Sequence, residues 1–226
     1  MKNFLSSLKK NLAKNNLPFL KMFKVVGQIA QTDEFIKDYE KDIELELTGF
    51  PVWDRFLRKI NGLGAPTAGP IIAIIGNIAR FHSISALRKY SGWYPQDGKA
   101  VTKSSGTKVQ YSPKMKQYLY DFVDGITKAK DPHYHGLYLQ FKKEILEKHP
   151  EYEGRKATKK QRIEGIPMHI HLMARRKVIQ FFITDLFCIW RDLDGLPSTV
   201  PWAFGPGGHD PEHYLDPLKH PYYEKP

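Results

Sequence analysis

The run Lys99-Ala100-Val101-Thr102-Lys103-Ser104-Ser105-Gly106-Thr107-Lys108 sets two serine hydroxyls beside a glycine and among three lysines, with Lys114 and Lys116 close behind. Hydroxyls flanked by cations can hold a phosphate group. A serine can also attack one, provided a base or a metal ion lowers its proton affinity. By composition alone, the same run also reads as an ordinary polar loop. A second place of interest is Asn61-Gly62-Leu63-Gly64, followed by Ala65-Pro66-Thr67. Glycines accept positive φ and keep side chains out of the way of a ligand. Amides bared at such a corner, together with the first turn of the next helix, bind phosphate oxygens whatever the bases. That is the logic of a helix-hairpin-helix, although any tight corner between helices uses glycine in the same way. Arg175-Arg176-Lys177 forms a third basic cluster.

Other candidates weaken on spacing. His133-x-His135 and His169-x-His171 look like ligand pairs, but positions i and i+2 of a helix face apart, so no metal site is expected within the chain. His209, His213 and His220 are dispersed near the carboxy end and are expected in solvent. No G-x-G-x-x-G or G-x-x-x-x-G-K-[ST] run occurs, which argues against nucleotide-driven chemistry.

These residues sit in a chain of 226 amino acids with 35 Lys+Arg against 24 Asp+Glu, a net charge of +11. Such a surplus points to a polyanionic partner. The charge is also uneven. Residues 98–130 carry seven lysines against Asp121 and Asp124, and residues 155–177 carry eight basic residues against Glu164. Residues 33–46 hold seven acids against Lys37 and Lys41. The single cysteine, Cys188, excludes an internal disulfide and a cysteine-built zinc finger. The apolar stretches around 70–79 and 178–190 are too short, or too interrupted by Gln180, Thr184 and Asp185, to span a bilayer. Lys9, Lys10 and Lys14 break up any secretory signal. A cytoplasmic protein with no membrane partner is expected.

The elements that must position the candidate residues read as helices throughout, an all-α chain in three parts. Residues 1–50 form a helical arm. Met22, Val25, Ile29, Ile36, Tyr39 and Ile43 fall on a seven-residue frame, which suits a coiled coil and a homodimer, or else packing on the body. Residues 51–192 form the body. A short helix over 54–60 precedes the corner, and a helix opening at Pro66 runs to about Ile75, where Gly76 ends it. A third helix covers 85–90. The segment 96–113 is loop, helices follow over 114–128 and 135–148, and the last runs from 167 to 192. Its buried stripe is expected to be Leu172, Val178, Ile179, Phe182, Ile183, Leu186 and Ile189. Residues 193–226, rich in proline and glycine, read as an extended tail.

Taken in order, Ile60 to Ala68, Ile74-Ile75-Gly76, Arg80-Phe81, Ser83, Leu87, Tyr90, Gly92, Pro95, Ser104-Ser105-Gly106 and the block 170–191 resemble one family. The similarity is to the carboxy-terminal domain of the insertion-sequence transposases of the IS-one-ten group, and it covers roughly residues 20–192. The resemblance implies DNA transposition and recombination. A loop serine, Ser105 with Ser104 as the fallback, would attack a DNA phosphodiester and become linked to the cut strand. Asn61, Gly62, Leu63, Gly64, Thr67, Lys99, Lys103, Lys108, Lys114, Lys116, Arg175, Arg176 and Lys177 would then grip DNA. In that family a RuvC-like half with four acids holds Mg2+, and a structured guide RNA takes part. This chain shows no such half, so it needs no cofactor of its own, and Mg2+ is expected only with a RuvC-like partner polypeptide. The step after the serine loop also departs from the family, reading Ser112-Pro113-Lys114-Met115-Lys116. The alternative expectation is a non-catalytic helix-hairpin-helix protein that binds nucleic acid, a remnant of a transposase.

Overall fold

Local signals start and stop most of the helices. Ser112 accepts the Met115 amide (3.2 Å) ahead of Pro113, and Ser83 accepts the Ala86 amide (3.2 Å). Each satisfies a donor that the first helical turn leaves open. Gly76 adopts φ +65° and closes the helix before it. The computed structural model describes residues 19–96, 99–101, 109–152, 166–198 and 215–226.

The chain divides into two units, residues 1–47 and 48–226. In the first, α1 (Phe19–Leu47) is a single helix of 29 residues. Phe35, Tyr39 and Leu45 stand 64%, 67% and 72% exposed on it. Tyr39 belongs to the expected seven-residue frame, whereas Phe35 and Leu45 lie off it.

The second unit is mostly helical. It contains α2 (Pro51–Arg55), a 3-10 turn (Leu57–Lys59), α3 (Ala65–Ile75), a 3-10 turn (Ile78–Arg80), α4 (Ile84–Tyr90), α5 (Pro113–Ala129), α6 (Tyr134–Lys148), a 3-10 turn (Pro150–Tyr152), α7 (Ile166–Leu193) and a last 3-10 turn (Pro217–Lys219). The strand pairing among the described residues is one short antiparallel ladder. It joins β1 (Pro95–Gln96) to β2 (Lys99–Ala100), with Pro95 opposite Ala100.

α7 is the central element, touched by α2, α4, α5, α6 and the last 3-10 turn. Residues 182–191 are buried without a break. An amphipathic stripe would leave some of them wet, so the second half of α7 is enclosed on all sides. Its first half is not, and Leu172, expected in the buried stripe, is 42% exposed. On α5 the stripe Met115, Leu119, Phe122, Val123 and Ile126 is buried, and Phe122 stacks on Phe182 with ring centroids 4.0 Å apart. No helix among the described residues is long and apolar enough to cross a membrane.

The expected extended tail ends differently. Residues 215–226 dock on the body. The Glu224 amide donates to the Arg55 carbonyl (3.0 Å), and the Arg55 guanidinium donates to the Lys225 carbonyl (2.9 Å). Lys59 pairs with Glu224, and Tyr223 donates its hydroxyl to Asp192. Pro217 and His220 are buried, so the expectation of a solvated His220 is corrected. Proline removes donors from a ladder, but it leaves carbonyls, aromatic rings and a 3-10 turn free to pack.

Candidate functional site

The corner at residues 61–64 is tied to the body at several points. The Asn61 amide donates to Asp131 Oδ2 (3.0 Å), and the Leu63 amide to the Ile60 carbonyl (3.0 Å). Leu63 itself is 3% exposed, so its side chain packs inside and does not face a ligand. Gly62 has φ +92°. A Cβ built there would collide with the Gly125 carbonyl on α5, and one on Gly125 would collide with the Gly62 carbonyl. Glycine at 62 therefore lets two backbones meet as well as supplying the turn. The Thr67 amide returns to the Gly64 carbonyl (3.0 Å). Among the described residues, the amides of Gly62, Gly64 and Ala65 have no protein acceptor.

The basic candidates divide into engaged and open ones. Arg175 pairs with Asp124 (2.7 Å) and donates to the Tyr120 carbonyl (3.3 Å). Lys177 pairs with Glu144 (3.2 Å). Arg176 and Lys114 are exposed. Lys116 lies above the rings of Trp93 and Tyr111 and donates to the Val101 carbonyl (2.6 Å), at the foot of the serine loop. Burial, and then the nearby Arg176 guanidinium, hold Lys116 below the ordinary lysine range. The Arg176 charge on α7 therefore acts on Lys116 of α5. Lys99 lies in β2, while Lys103, Ser104, Ser105 and Lys108 lie outside the described residues.

Spacing analysis missed a third arrangement. Asp131, fully buried between α5 and α6, accepts from the amides of Asn61 (3.0 Å), His133 (3.1 Å) and Tyr134 (2.7 Å) and from the Tyr222 hydroxyl (3.0 Å). Nearby, Asp185 of α7 accepts the Tyr134 hydroxyl (2.9 Å) and faces Nε2 of His220 at 3.9 Å. The Tyr222 amide donates to His220 Nδ1 (3.1 Å), so in the neutral ring the proton sits on Nε2. That Nε2 is buried and has no hydrogen-bond partner among the described residues. The His133 ring stands edge-on to His220 with centroids 4.3 Å apart. Burial lifts Asp185 to about 7, against the pull of Tyr134 and Arg88, and burial with His133 lowers His220 to about 3. Arg88 does not close on Asp185. It donates to Thr184 Oγ1 (2.8 Å) and the Gln180 carbonyl (3.1 Å), and its Nε has no partner among the described residues. Cys188, buried beside this cluster, has its thiol pushed up to about 12 by burial and by Asp185, which leaves it a poor nucleophile. The signal that could have found the cluster was polarity within apolar surroundings: Asp185 interrupts the most enclosed stretch of α7.

No protein-family model, no curated protein and no solved structure matches the chain.

Proposed function

We propose that this chain binds the backbone of DNA as a transposase domain of helix-hairpin-helix type, with strand transfer by Ser105, or Ser104, only when a separate RuvC-like polypeptide supplies Mg2+. The observation that carries the binding half is Lys116, held over Trp93 and Tyr111 and bonded to the Val101 carbonyl just before the serine run, with the Arg176 charge acting on it. Like charges that act on one another destabilise the free protein, and a phosphate bound near them relieves the repulsion. Lys114 and Arg176 are open to such a ligand, and the amides of Gly62, Gly64 and Ala65 add donors at the corner. Arg175 and Lys177, engaged with Asp124 and Glu144, contribute field more than direct contact. The strand-transfer half rests on the order of the family-like motifs.

Fluorescence anisotropy with a labelled duplex tests the binding. Affinity is expected to fall by roughly a hundredfold or more between 50 and 200 mM salt. Reversing charge at Lys116 and Arg176 together, as Lys116→Glu and Arg176→Glu, is expected to flatten that dependence. An affinity indifferent to salt or to the double reversal overturns the reading. For strand transfer, the chain is mixed with a RuvC-like polypeptide, Mg2+ and donor DNA. A covalent protein–DNA adduct is expected, and its persistence in the Ser104→Ala, Ser105→Ala double variant refutes the assignment. Binding without any adduct favours the non-catalytic alternative.

A further inference from the structure

We propose that His133, Asp185 and His220 form a binding site for one divalent cation of the zinc type. The three side chains come from the start of α6, from α7 and from the docked carboxy-terminal segment, and their ligand atoms all lie within 4.8 Å of one another. Two imidazole nitrogens and a carboxylate oxygen are a donor set that zinc accepts, leaving a fourth position open. Bonds of about 2.0–2.2 Å place tetrahedral ligand atoms roughly 3.3 Å apart, so the cluster has about an ångström or a little more to close.

What points to a cation is the set of buried polar atoms that the fold leaves short of partners. The His220 side chain is 2% exposed and its Nε2, aimed at Asp185, has no partner among the described residues. The Asp185 side chain is 6% exposed and has the Tyr134 hydroxyl as its hydrogen-bond donor. A buried nitrogen and a buried carboxylate left short of partners are both costly, and one cation satisfies the two together. The Tyr134 hydroxyl would then orient the ligating carboxylate from outside the site.

The proton balance is simple. Any proton on the Asp185 carboxyl leaves to solvent, and the His220 proton moves from Nε2 to Nδ1 as the metal takes Nε2. Nδ1 then becomes a donor and releases the Tyr222 amide, so the turn at Pro221–Tyr222 is the part that shifts. Metal loading is thereby coupled to the docking of the chain's end. This site lies apart from Lys116 and Arg176, and it does not depend on the nucleic-acid reading.

The test uses the full chain, stripped with chelator and titrated calorimetrically with ZnCl2, and titrated separately with Co2+ followed by visible absorption. One zinc per chain is expected, with a higher unfolding temperature. Cobalt is expected to give bands more intense than those of the hydrated ion. His133→Gln and His220→Gln should each weaken zinc by roughly tenfold or more, whereas the His135→Gln, His171→Gln double variant should bind as the parent does. His133 is only half-buried, so His133→Gln should keep the native circular dichroism even if His220→Gln does not fold. Absence of stoichiometric zinc binding overturns the proposal. So does undiminished affinity in His133→Gln, or a cobalt spectrum like that of the free ion.

Discussion

Asp131 and Asp185 are both buried carboxylates in one small region of the molecule, and they are in opposite condition. Asp131 receives three backbone amides and a phenol hydroxyl, and it ties the glycine corner, the start of α6 and the carboxy-terminal segment to a single point. Among the described residues, Asp185 receives one hydroxyl and faces an imidazole nitrogen too far away to bond. A carboxylate with its lone pairs filled by fixed donors holds a fold together. One left unfilled in a dry interior is a liability unless something else occupies its site. Degree of burial does not separate the two residues, but the number of donors does.

The contrast can be broken by substitution. Asp131→Ala strands the buried Tyr134 amide and frees the glycine corner at once. It is expected to lose about 3 kcal/mol or more of stability by urea denaturation, and a loss below about 1 kcal/mol would remove Asp131 from its organising role. Asp185→Asn, measured in chelator, keeps an acceptor for Tyr134 and sheds a poorly compensated charge. The expected change is within about 1 kcal/mol and of either sign, so a loss as large as that of Asp131→Ala would erase the distinction.

The smallest effect sharpens the comparison at the outer edge of the docked segment. Burial and the adjacent Asp192 carboxylate raise the Tyr223 phenol above its ordinary range. A neutral phenol is therefore preferred in the folded state. The stability it lends is full below about pH 10 and is lost only as pH climbs from there toward the raised value. Tyr223→Phe should reduce the alkaline loss of stability, to which the raised phenols of Tyr222 and Tyr134 also contribute, and cost about 0.5 kcal/mol near neutrality. An unchanged alkaline limb would place the docking elsewhere.

Much of the helical frame was legible because its signals are local. Pro66 marks a helix start and Gly76 a stop, and the helices read over 114–128 and 135–148 lie within a residue or so of their observed bounds. Leu172 was misread because a periodic pattern shows which face is apolar and not how far along the helix a neighbour covers it. His220 was misread as solvated because proline content argues against regular structure and is silent about docking. At the corner, Gly62 was legible as a turn but not as the place where two backbones touch, since its partner Gly125 lies far along the chain. The engagement of Arg175 and Lys177 was hidden for a similar reason, because their acids sit on α5 and α6.

The amino-acid order alone determined that this is a basic, helical chain with glycine corners, because helical periodicity and the breaking action of glycine act over a few residues. Only the tertiary structure decided which polar groups find partners. Asn61 meets Asp131 across 70 residues, and Tyr134 meets Asp185 across 51. Whether a buried donor is filled or left open depends on how distant segments pack, and no short stretch of sequence carries that information.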